Sequence, residues 1–502
     1  MSDLNASIVV DPAYVIGEVH PRMFGSFVEH LGRCVYSGVF EPGHPTAGAD
    51  GLRADVLALV RELGVTVVRY PGGNFVSGYR WEDGTGPVAD RPRRLDLAWR
   101  SVESNEFGLG EFLRFTTAVG AEPMLAVNLG TRGVTEACDL LEYCNIPGGT
   151  ALSDRRRAHG AEQPFGVKLW CLGNEMDGPW QLGHRSAGEY GRLAAQTAHA
   201  MRQIDPDIRL VACGSSGASM PTFGVWERTV LEHAYDLVDY VSCHSYYEER
   251  DGDVDSFLAS AEDMELFIAG VVATCDQVAA ARRARKRIEI SFDEWNVWYM
   301  NRPPAAEPPQ WSIAPRLLED VYTVTDAVVV GSLLIGLLRH CDRVTAACQA
   351  QLVNVIAPIV TEPGGPAWRQ STFHPFAHTA RHGRGQVLRL VTTSPSHETA
   401  AHGEVPLLHA TAVQSTDGEL TVYAVNRDTA RPMGLAVDLR ATGVTRVVEH
   451  LALADADRHA TNTRDQPDRV VPHHRDGATL AGGRLAATLP PLSWNAIRLA
   501  ER

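Results

Sequence analysis

Two carboxylates that directly follow apolar runs are the side chains in this sequence best suited to chemistry. Glu175 comes after the run 169–172, behind a glycine and an amide, in the letters LWCLGNEMD. Glu294 comes after the run 288–292 and stands beside aromatic and amide residues in IEISFDEWN. Two carboxyl groups that face one sugar ring are the equipment of glycosidic-bond hydrolysis. The two motifs therefore predict that chemistry, provided that the fold brings Glu175 and Glu294 together.

A parallel α/β barrel is the fold that would bring them together. In such a barrel the apolar strand residues fill the interior, and the first polar residues beyond the strand ends face the catalytic mouth. The alternative for either carboxylate is a surface position on a loop. Because Glu175 and Glu294 each follow a buried strand-like run, the position at the mouth is the favoured interpretation.

Short apolar runs alternate with longer helical patterns, as expected of βα units and a parallel sheet. The eight runs are residues 23–28, 65–70, 123–129, 167–172, 208–213, 238–243, 287–292 and 344–353. Between them, helical spacing of apolar residues marks 51–63, and 186–204 begins at Ser186, a residue type that caps helices. Eight strands with intervening helices predict a (β/α)8 TIM barrel. A doubly wound sheet is the weaker interpretation, because no Gly-rich phosphate loop follows the first strand.

Beyond about residue 381 the helical periodicity gives way to short alternating segments, which predict a C-terminal antiparallel β-sandwich of jelly-roll type. These segments are 387–391, 407–413, 420–425, 434–439, 445–451 and 484–489. Residues 4–16 alternate in the same way, so the N-terminal strands are expected to complete the sandwich. The predicted division is 1–17 for those strands, 18–380 for the catalytic barrel and 381–502 for the sandwich. Trp494 is expected to fill the sandwich core.

Two polar interruptions of the barrel pattern are expected to differ in role. Residues 146–164 precede the fourth strand and read as a surface excursion. Residues 302–315 follow the seventh strand, and a loop at that end of a barrel strand overhangs the mouth. Of the two, the second is placed to touch a substrate.

Composition narrows the classes of partner. The 502 residues are 44% hydrophobic and 21% charged, which is ordinary for a globular chain and enough for a large barrel plus a second domain. The formal net charge of −15 repels phosphate backbones and anionic lipid, so neither nucleic acid nor a membrane is an expected partner. Residues 1–6 carry neither a basic start nor an apolar segment of signal-peptide type, so a cytoplasmic location is expected.

Cysteine and histidine usage gives no sign of a metal or cofactor site. The nine cysteines are an odd number without a CxxC pair or zinc-type spacing, and we interpret them as reduced, buried thiols. The 19 histidines include no HExxH motif. The longest apolar run, 328–338, is too short to span a bilayer and is expected to form a buried helix.

Polar groups follow six of the eight predicted strands, which argues for one polar pocket. They are Glu29 and His30 after strand one, Arg69 and Asn74 at strand two, Asn174 and Glu175 after strand four, His244 and Tyr246 after strand six, Glu294 after strand seven, and Gln349, Gln351 and Asn354 after strand eight. Tryptophans nearby could supply apolar faces for sugar rings, although each could equally serve packing: Trp81, Trp99, Trp180 and Trp298. Arg69 is either a structural ion-pair partner or the group that keeps Glu294 ionised.

Three longer motifs resemble the family 51 α-L-arabinofuranosidases. They are GNEMDGPWQ at 173–181, YPGGNF at 70–75 with RWEDG at 80–84, and DEWNVWY at 293–299. The resemblance covers nearly the whole chain and implies a retaining glycoside hydrolase, with Glu175 as acid/base and Glu294 as nucleophile. It implies that five further residues contact substrate: Glu29, Asn74, Asn174, Tyr246 and Gln351. Arg69 and His244 match polar residues that support the active site in the family. Trp99 and Trp298 are expected to support the same site with their aromatic rings.

The resemblance also implies a substrate class and an assembly. An exo-acting enzyme would release terminal arabinofuranosyl groups from arabino-oligosaccharides, arabinan or arabinoxylan fragments, without a cofactor, and bacterial cytoplasmic members are commonly hexamers. Three alternatives remain open from the residues alone. They are hydrolysis of another furanoside such as a galactofuranoside, an endo-β-glucanase that uses the same carboxylates, and a carbohydrate-binding barrel without catalysis.

Overall fold

The larger part of the chain is a closed parallel barrel, seen in a computed structural model that describes residues 4–301 and 310–501. Its eight strands follow one another around the barrel in chain order, and the eighth pairs with the first through Cys348 and Gly25. In order they are Gly25–Phe27, Val67–Tyr70, Glu122–Val127, Leu169–Leu172, Arg209–Ala212, Tyr240–Tyr247, Glu289–Val297 and Val344–Gln349. The predicted (β/α)8 TIM barrel is confirmed.

Each of the eight predicted apolar runs supplies one barrel strand, with differences at the ends. The first strand starts at Gly25 because Pro21–Phe24 form a 3-10 turn before it. The sixth and seventh strands run four and five residues further than predicted, to Tyr247 and Val297. Polar residues were expected to end these strands, but in a barrel a strand can continue into the mouth as long as its backbone stays paired with a neighbour.

Helices pack outside the barrel. Within the described ranges they are Ala54–Leu63, Leu109–Val119, Val134–Asn145, Ala151–Ala158, Ala187–Ile204, Val225–Ala234, Val254–Leu258, Ser260–Arg282, Val324–Arg339 and Phe373–His382. The two helices predicted from apolar spacing are confirmed at Ala54–Leu63 and Ala187–Ile204. The backbone N–H of Ser186 donates to the Glu189 carboxylate at 3.1 Å, which satisfies a free donor at the start of the second of these.

Small and medium apolar side chains fill the barrel interior, so the barrel is a packed core and not a pore. The interior cluster comprises Val67, Val76, Met124, Ala126, Leu169, Cys171, Val211, Tyr240, Ala346 and Cys348, all buried. The helix Val324–Arg339 contains the predicted buried run 328–338, and every residue of that run is buried. All nine cysteines are unpaired, and eight of them are buried.

The C-terminal part forms a curled ten-stranded sheet, which confirms the predicted sandwich. In spatial order its strands are His473–His474, Arg446–Leu453, Ser493–Ala500, Leu420–Asn426, Leu408–Gln414, Gln386–Thr393, Leu4–Glu18, Met433–Asp438, Arg484–Leu489 and Thr479–Ala481. The N-terminal strand completes the sheet as expected, and alternate residues from Leu4 to Val10 are buried. One pairing is parallel and not antiparallel, between Leu4–Glu18 and Met433–Asp438, because no hairpin joins these two strands. The domain boundaries at 17 and 380 stay a prediction.

Trp494 lies between the barrel and the sandwich and not in the sandwich core where it was expected. The side chain is fully buried against the helix Val324–Arg339. A Cβ atom at Gly331 of that helix would lie 2.2 Å from the Trp494 ring, so only glycine allows the two to meet. Trp494 also stacks on Tyr423, with ring centroids 6.1 Å apart. The tryptophan therefore fixes the sandwich to the barrel.

The two predicted excursions have different outcomes. Residues 146–164 are not only loop, because they contain the helix Ala151–Ala158, and the buried Arg156 donates to the carbonyls of Tyr143 and Pro147. Of residues 302–315, positions 302–309 lie outside the described residues. Among the helices in the described part, Ser260–Arg282 is long and apolar enough to cross a membrane by length and composition, a test that core helices also pass. It packs against the neighbouring helices Val225–Ala234 and Val324–Arg339.

Three hairpins lie outside the two main sheets in the described ranges. They are Arg94–Asp96 with Ser101–Glu103, Ile359–Thr361 with Ala367–Arg369, and Ser396–Thr399 with Gly403–Pro406. The first of them carries Trp99 in its turn. The third belongs to the C-terminal part of the chain but extends to the barrel, where the backbone N–H of Ala401 donates to the Ser256 hydroxyl at 3.0 Å.

Candidate active site

Glu294 is held at the barrel mouth by one cation and one hydroxyl. Arg69, on the second barrel strand, donates to Glu294 Oε1 at 2.6 Å, and Tyr246 donates from its hydroxyl to Oε2 at 2.7 Å. All three side chains are buried or half-buried. Burial and the negative charge of Glu294 raise the pKa of Tyr246 well above its ordinary value, so this hydroxyl keeps its proton. The two donors engage both oxygens of Glu294 and so fix the orientation of its carboxyl group.

Asp293, the residue before Glu294, also points into the barrel. Its carboxylate accepts from His244 Nε2 at 3.0 Å and lies 3.7 Å from Arg69 Nε. Neighbouring residues of a regular strand face opposite sides, but the pairing of Glu289–Val297 with Tyr240–Tyr247 shifts register between Ser291 and Glu294. Burial opposes ionisation of Asp293, but the charge of Arg69 and the bond from His244 outweigh it and hold the pKa below its ordinary value.

Glu175 lies three residues beyond the fourth strand, in a turn where its φ of +43° is in the left-handed region. Such a conformation costs a non-glycine residue about 1–3 kcal/mol, and such residues concentrate at functional sites. One carboxylate oxygen faces His244 Nδ1 at 2.8 Å. The other accepts from the indole of Trp180 at 2.7 Å. Glu175 is thus oriented from both sides.

His244 connects the two carboxylates. Burial lowers its pKa, but the charge of Glu294 and the hydrogen bonds to Asp293 and Glu175 outweigh this and raise the pKa to about 10. The ring is therefore an imidazolium that donates from both nitrogens. Its Nδ1 also lies 3.6 Å from Glu294 Oε2. A positive charge between two carboxylates offsets their mutual repulsion.

The two carboxyl groups approach each other closely, as a double displacement requires. One oxygen of Glu175, one oxygen of Glu294 and a ring nitrogen of His244 all lie within 4.8 Å of one another. Carboxyl groups about 5–5.5 Å apart are typical of retaining glycosidases, whereas inverting enzymes need about 6.5–9.5 Å. Three such groups could in principle hold a metal ion. In this structure both ring nitrogens of His244 are instead engaged in hydrogen bonds, Nδ1 with Glu175 and Nε2 with Asp293.

A second set of polar side chains in the cavity lining is centred on Glu29. Glu29 accepts from the backbone N–H of Phe75 at 3.0 Å, from the Trp99 indole at 3.0 Å and from the Gln351 amide at 2.9 Å. Burial raises the pKa of Glu29 to about 8, with the charge of Glu294 acting in the same direction. At neutral pH Glu29 can therefore hold a proton, which avoids a further negative charge beside Glu294.

The loop after the second strand lies directly against these carboxylates because it consists of glycines. A Cβ atom at Gly73 would stand 3.0 Å from Glu294 Oε1 and 3.5 Å from Glu29 Oε2. The 3-10 turn Asn74–Gly78 begins at the next residue, and Asn74 lines the cavity. The YPGGNF motif thus places its backbone and Asn74 within reach of a sugar.

Two buried amide atoms, one beside the cavity-lining Gly73 and one on a cavity-lining residue, have no hydrogen-bond partner among the described residues. They are Asn174 Nδ2 and Gln351 Oε1. The oxygen of the same Asn174 amide, Oδ1, accepts from Arg69 at 2.7 Å, and this bond fixes the direction in which Nδ2 points. An unpaired buried polar atom costs about 1–3 kcal/mol. A bound polyhydroxylated ligand would satisfy both atoms.

The tryptophans divide into two groups. Trp99, Trp180 and Trp298 line the same cavity as the two carboxylates, and Trp298 meets Tyr246 edge to face with ring centroids 5.0 Å apart. Trp81 does not reach the cavity. It is buried against Tyr143, with ring centroids 5.2 Å apart, and so takes the packing role that was the alternative for each tryptophan.

Two interactions were not predicted from the sequence. The first is the hydrogen bond between His244 and Asp293, which depends on the register shift. The sequence feature that could have indicated it is a second acidic residue directly before Glu294 in the DEW motif. The second is the bond from Trp180 to Glu175. The sequence shows that Trp180 follows Glu175 by five positions in the GNEMDGPW motif, but it does not show the turn that brings the two side chains together.

A closed parallel barrel whose mouth holds two carboxylates at this spacing, each with its own donors, defines a retaining glycoside hydrolase. Two family models match the chain. The model described as α-L-arabinofuranosidase 1 domain matches residues 59–263, and the model of the α-L-arabinofuranosidase C-terminal domain matches residues 293–493.

Individual relatives agree with these models over nearly the whole chain. The chain is 66% identical to an intracellular exo-α-(1→5)-L-arabinofuranosidase of Streptomyces lividans, over 99% of this chain and 75% of that one. It is 55% identical to an exo-α-(1→6)-L-arabinofuranosidase of Bifidobacterium longum, over 98% and 97%. A solved family 51 α-L-arabinofuranosidase from Bifidobacterium longum superposes with a TM-score of 0.95 at 50% identity and covers 99% of this chain and 100% of its own. The chain belongs to the family 51 α-L-arabinofuranosidases.

Proposed function

We propose that the chain is an exo-acting, retaining α-L-arabinofuranosidase that releases terminal arabinofuranosyl groups from arabino-oligosaccharides and from arabinan or arabinoxylan fragments. The observation that carries the proposal is the pair Glu175 and Glu294, which bring one carboxylate oxygen each to within 4.8 Å of the other and have different hydrogen-bond partners. The relatives named above act on arabinofuranosides by their names, in one case with (1→5) and in another with (1→6) specificity.

In the first step Glu294 attacks the anomeric carbon while Glu175 gives a proton to the departing glycosidic oxygen. The bond to the leaving sugar breaks, and a covalent arabinosyl ester forms on Glu294. Arg69 and Tyr246 hold Glu294 in position before the attack, because each donates to one of its oxygens. Release of the Trp180 bond would free one Glu175 oxygen to face the leaving group.

In the second step ionised Glu175 takes a proton from water, whose oxygen attacks the same carbon and frees Glu294. Two inversions give net retention. The His244 imidazolium, 2.8 Å from Glu175, stabilises the carboxylate form needed here. Asn174 Nδ2 is the donor best placed for the sugar 2-hydroxyl, a contact that strengthens as the oxocarbenium-like transition state develops.

The pocket walls favour removal of one terminal sugar. Glu29, Gln351 and Trp99 form a connected hydrogen-bonded set that lines the cavity. We infer that this set closes one end of the site, so that only a terminal sugar enters it. An endo-β-glucanase would need an open groove, and solved glucanase-type neighbours at 13% identity share the fold alone.

A panel of 4-nitrophenyl glycosides tests the substrate class. We expect hydrolysis of the α-L-arabinofuranoside at a kcat/KM at least about a hundredfold above the galactofuranoside, xyloside and glucoside. Debranched arabinan should release reducing sugar without an early loss of viscosity. A rapid loss of viscosity, or a preference for another glycoside, would contradict the proposal.

The location and assembly are part of the same proposal. Several relatives are named intracellular, and we propose a cytoplasmic enzyme that acts on imported oligosaccharides. We also propose a homohexamer with closed point-group symmetry, as the family resemblance implies. Light scattering at micromolar concentration should give six times the chain mass of 54.6 kDa, and a monomer would contradict this part.

A further inference from the structure

The cavity at the barrel mouth extends well beyond the two catalytic carboxylates. From Glu175 and Glu294 it continues past Tyr247 to the helix Val254–Leu258. Tyr247 follows Tyr246 on the sixth barrel strand and donates from its hydroxyl to Asp263 at 3.1 Å. The catalytic site and this outer part, which we call the distal lobe, are therefore parts of one continuous space.

The size of the space exceeds what one sugar fills. The cavity volume is about 950 Å³. At about 30 Å³ for each water-sized group, the roughly ten non-hydrogen atoms of a pentose occupy at most about 300 Å³. About two thirds of the cavity is therefore left for the part of the substrate on the leaving-group side.

The C-terminal part of the chain completes the distal lobe. The turn of the hairpin Ser396–Thr399 with Gly403–Pro406 places Ala400, Ala401 and His402 on the cavity wall. The Ala401 backbone N–H donates to the buried Ser256 hydroxyl at 3.0 Å, so the hairpin is fixed to the barrel at this point. In the described residues the side chains of this turn make no hydrogen bond to the barrel. The His402 ring lies near enough to Asp253 for its charge to add to the hydrogen bonds from Ser256 that lower the pKa of that carboxyl.

The chemistry of the distal lobe suits a neutral carbohydrate. Hydroxyl, imidazole and carboxylate groups alternate with aromatic surface, as in sites that bind polyols. The lining includes Ser256, Ser260, Asp253, Asp263, His402 and Phe257. The carboxylates at Asp253 and Asp263 can accept hydrogen bonds from sugar hydroxyls, and they would repel an anionic aglycone such as a uronic acid.

We propose that the distal lobe binds the neutral oligosaccharide aglycone, and that the hairpin turn at Ala400 to His402 is a specificity-determining element contributed by the sandwich. The proposal rests on the arabinofuranosidase activity proposed above and adds the site for the leaving group. Short aryl substrates leave the distal lobe empty, whereas arabino-oligosaccharides of three or four units reach it.

Substrate length provides the test. The measured quantity is the ratio of kcat/KM for α-(1→5)-arabinotetraose to kcat/KM for 4-nitrophenyl α-L-arabinofuranoside. Ala400→Trp places a large ring in the distal lobe and should lower this ratio about tenfold. His402→Ala removes one polar contact without adding bulk and should lower the ratio about threefold, which guards against misfolding of the first variant.

Glu398→Trp is the matched control, because Glu398 is exposed on the same hairpin and does not line the cavity. This variant should keep the wild-type ratio. The inference is wrong if Ala400→Trp and His402→Ala both keep the wild-type ratio in an enzyme that hydrolyses both substrates. It is also wrong if Glu398→Trp lowers the ratio as much as Ala400→Trp. A wild-type enzyme that hydrolyses neither substrate overturns the proposed function, and this inference with it.

Discussion

Arg69 donates to Glu294 at 2.6 Å while its second terminal nitrogen donates to Asn174 at 2.7 Å. The guanidinium is almost completely buried, and it stacks over the Phe27 ring at 4.9 Å from the centroid. One side chain therefore holds the proposed nucleophile, Glu294, and the amide of Asn174 in a fixed relation. A planar fork can do this, whereas a single ammonium cannot.

Arg69→Lys should expose this difference. The variant keeps the charge beside Glu294 but cannot bond Asn174 at the same time, so we expect kcat/KM to fall about 10²–10³-fold with a smaller change in KM. Steady-state kinetics on the aryl arabinofuranoside measures both kcat/KM and KM. Arg22→Lys, in the ion pair with Glu122 on the barrel outside the pocket, is the control and should stay near wild type. Equal losses in both variants would contradict the role of Arg69.

Asp293→Asn tests the buried acid that positions His244. Burial lowers the pKa of His244, and the charge of Glu294 with the bonds to Asp293 and Glu175 raises it to about 10. Removing the Asp293 charge should lower the His244 pKa, so the alkaline limb of the kcat/KM profile should move to lower pH. Asp205→Asn is the control, because Asp205 is a half-buried carboxylate that pairs with Lys168 and does not line the cavity. An unmoved alkaline limb with reduced activity would indicate a purely structural role.

The sequence was most informative about features that depend on a single strand, namely the position of the strand and of the residues that follow it. Apolar runs located all eight barrel strands, and the residues after them located Glu175 within the mouth. These predictions hold because burial of a strand depends on its own composition and on the barrel around it. The resemblance then assigned roles to residues that share no local pattern, such as Asn74 and Gln351, and both line the cavity.

What the sequence could not predict depends on pairing between distant segments. Asp293 and Glu294 both face inward only because the seventh strand shifts register against the sixth. The place of Trp494 depends on how the sandwich docks on the helix Val324–Arg339, and so does the approach of the Ala400 turn to the cavity. No periodicity within a single segment records how two domains meet.

His378 should make the fold sensitive to acid. Burial, and then the charges of His382, Arg498 and Arg381, lower its pKa from 6.5 to about 3. The unfolded chain takes up a proton at higher pH than the folded chain, so stability is lost as pH falls from about 6.5 towards 3, at up to about 1.4 kcal/mol per pH unit. His378→Phe removes this proton site and keeps a ring against Trp494, 5.6 Å away.

The free energy of unfolding, measured by denaturant titration between about pH 6 and pH 4, should therefore fall less steeply in His378→Phe than in the wild type. His459→Phe makes the same change at an exposed position and should keep the wild-type slope. If His378→Phe loses stability with pH as steeply as the wild type, His378 is not a source of the acid sensitivity.

The two catalytic carboxylates should fail at different steps. Glu294→Ala removes the nucleophile, so no arabinosyl ester can form whatever the leaving group. Glu175→Ala removes the proton donor. The rate should fall about 10²–10⁴-fold for a sugar leaving group but change little for nitrophenolate, which departs without a proton. Glu175→Ala should therefore show a fast burst on the aryl arabinofuranoside and then stall as the covalent ester. Mass spectrometry of the stalled enzyme should find one arabinosyl group.

Azide separates the roles by stereochemistry. In Glu175→Ala azide needs no general base, so it should attack the ester and give an arabinosyl azide that retains the anomeric configuration of the substrate. In Glu294→Ala azide can occupy the space of the missing carboxylate, where Arg69 and Tyr246 offer donors, and a single displacement should give the inverted azide. NMR of the products distinguishes the two anomers. The opposite pattern would reverse the assignment of acid/base and nucleophile, and full activity of both variants on arabinan would remove both residues from the mechanism.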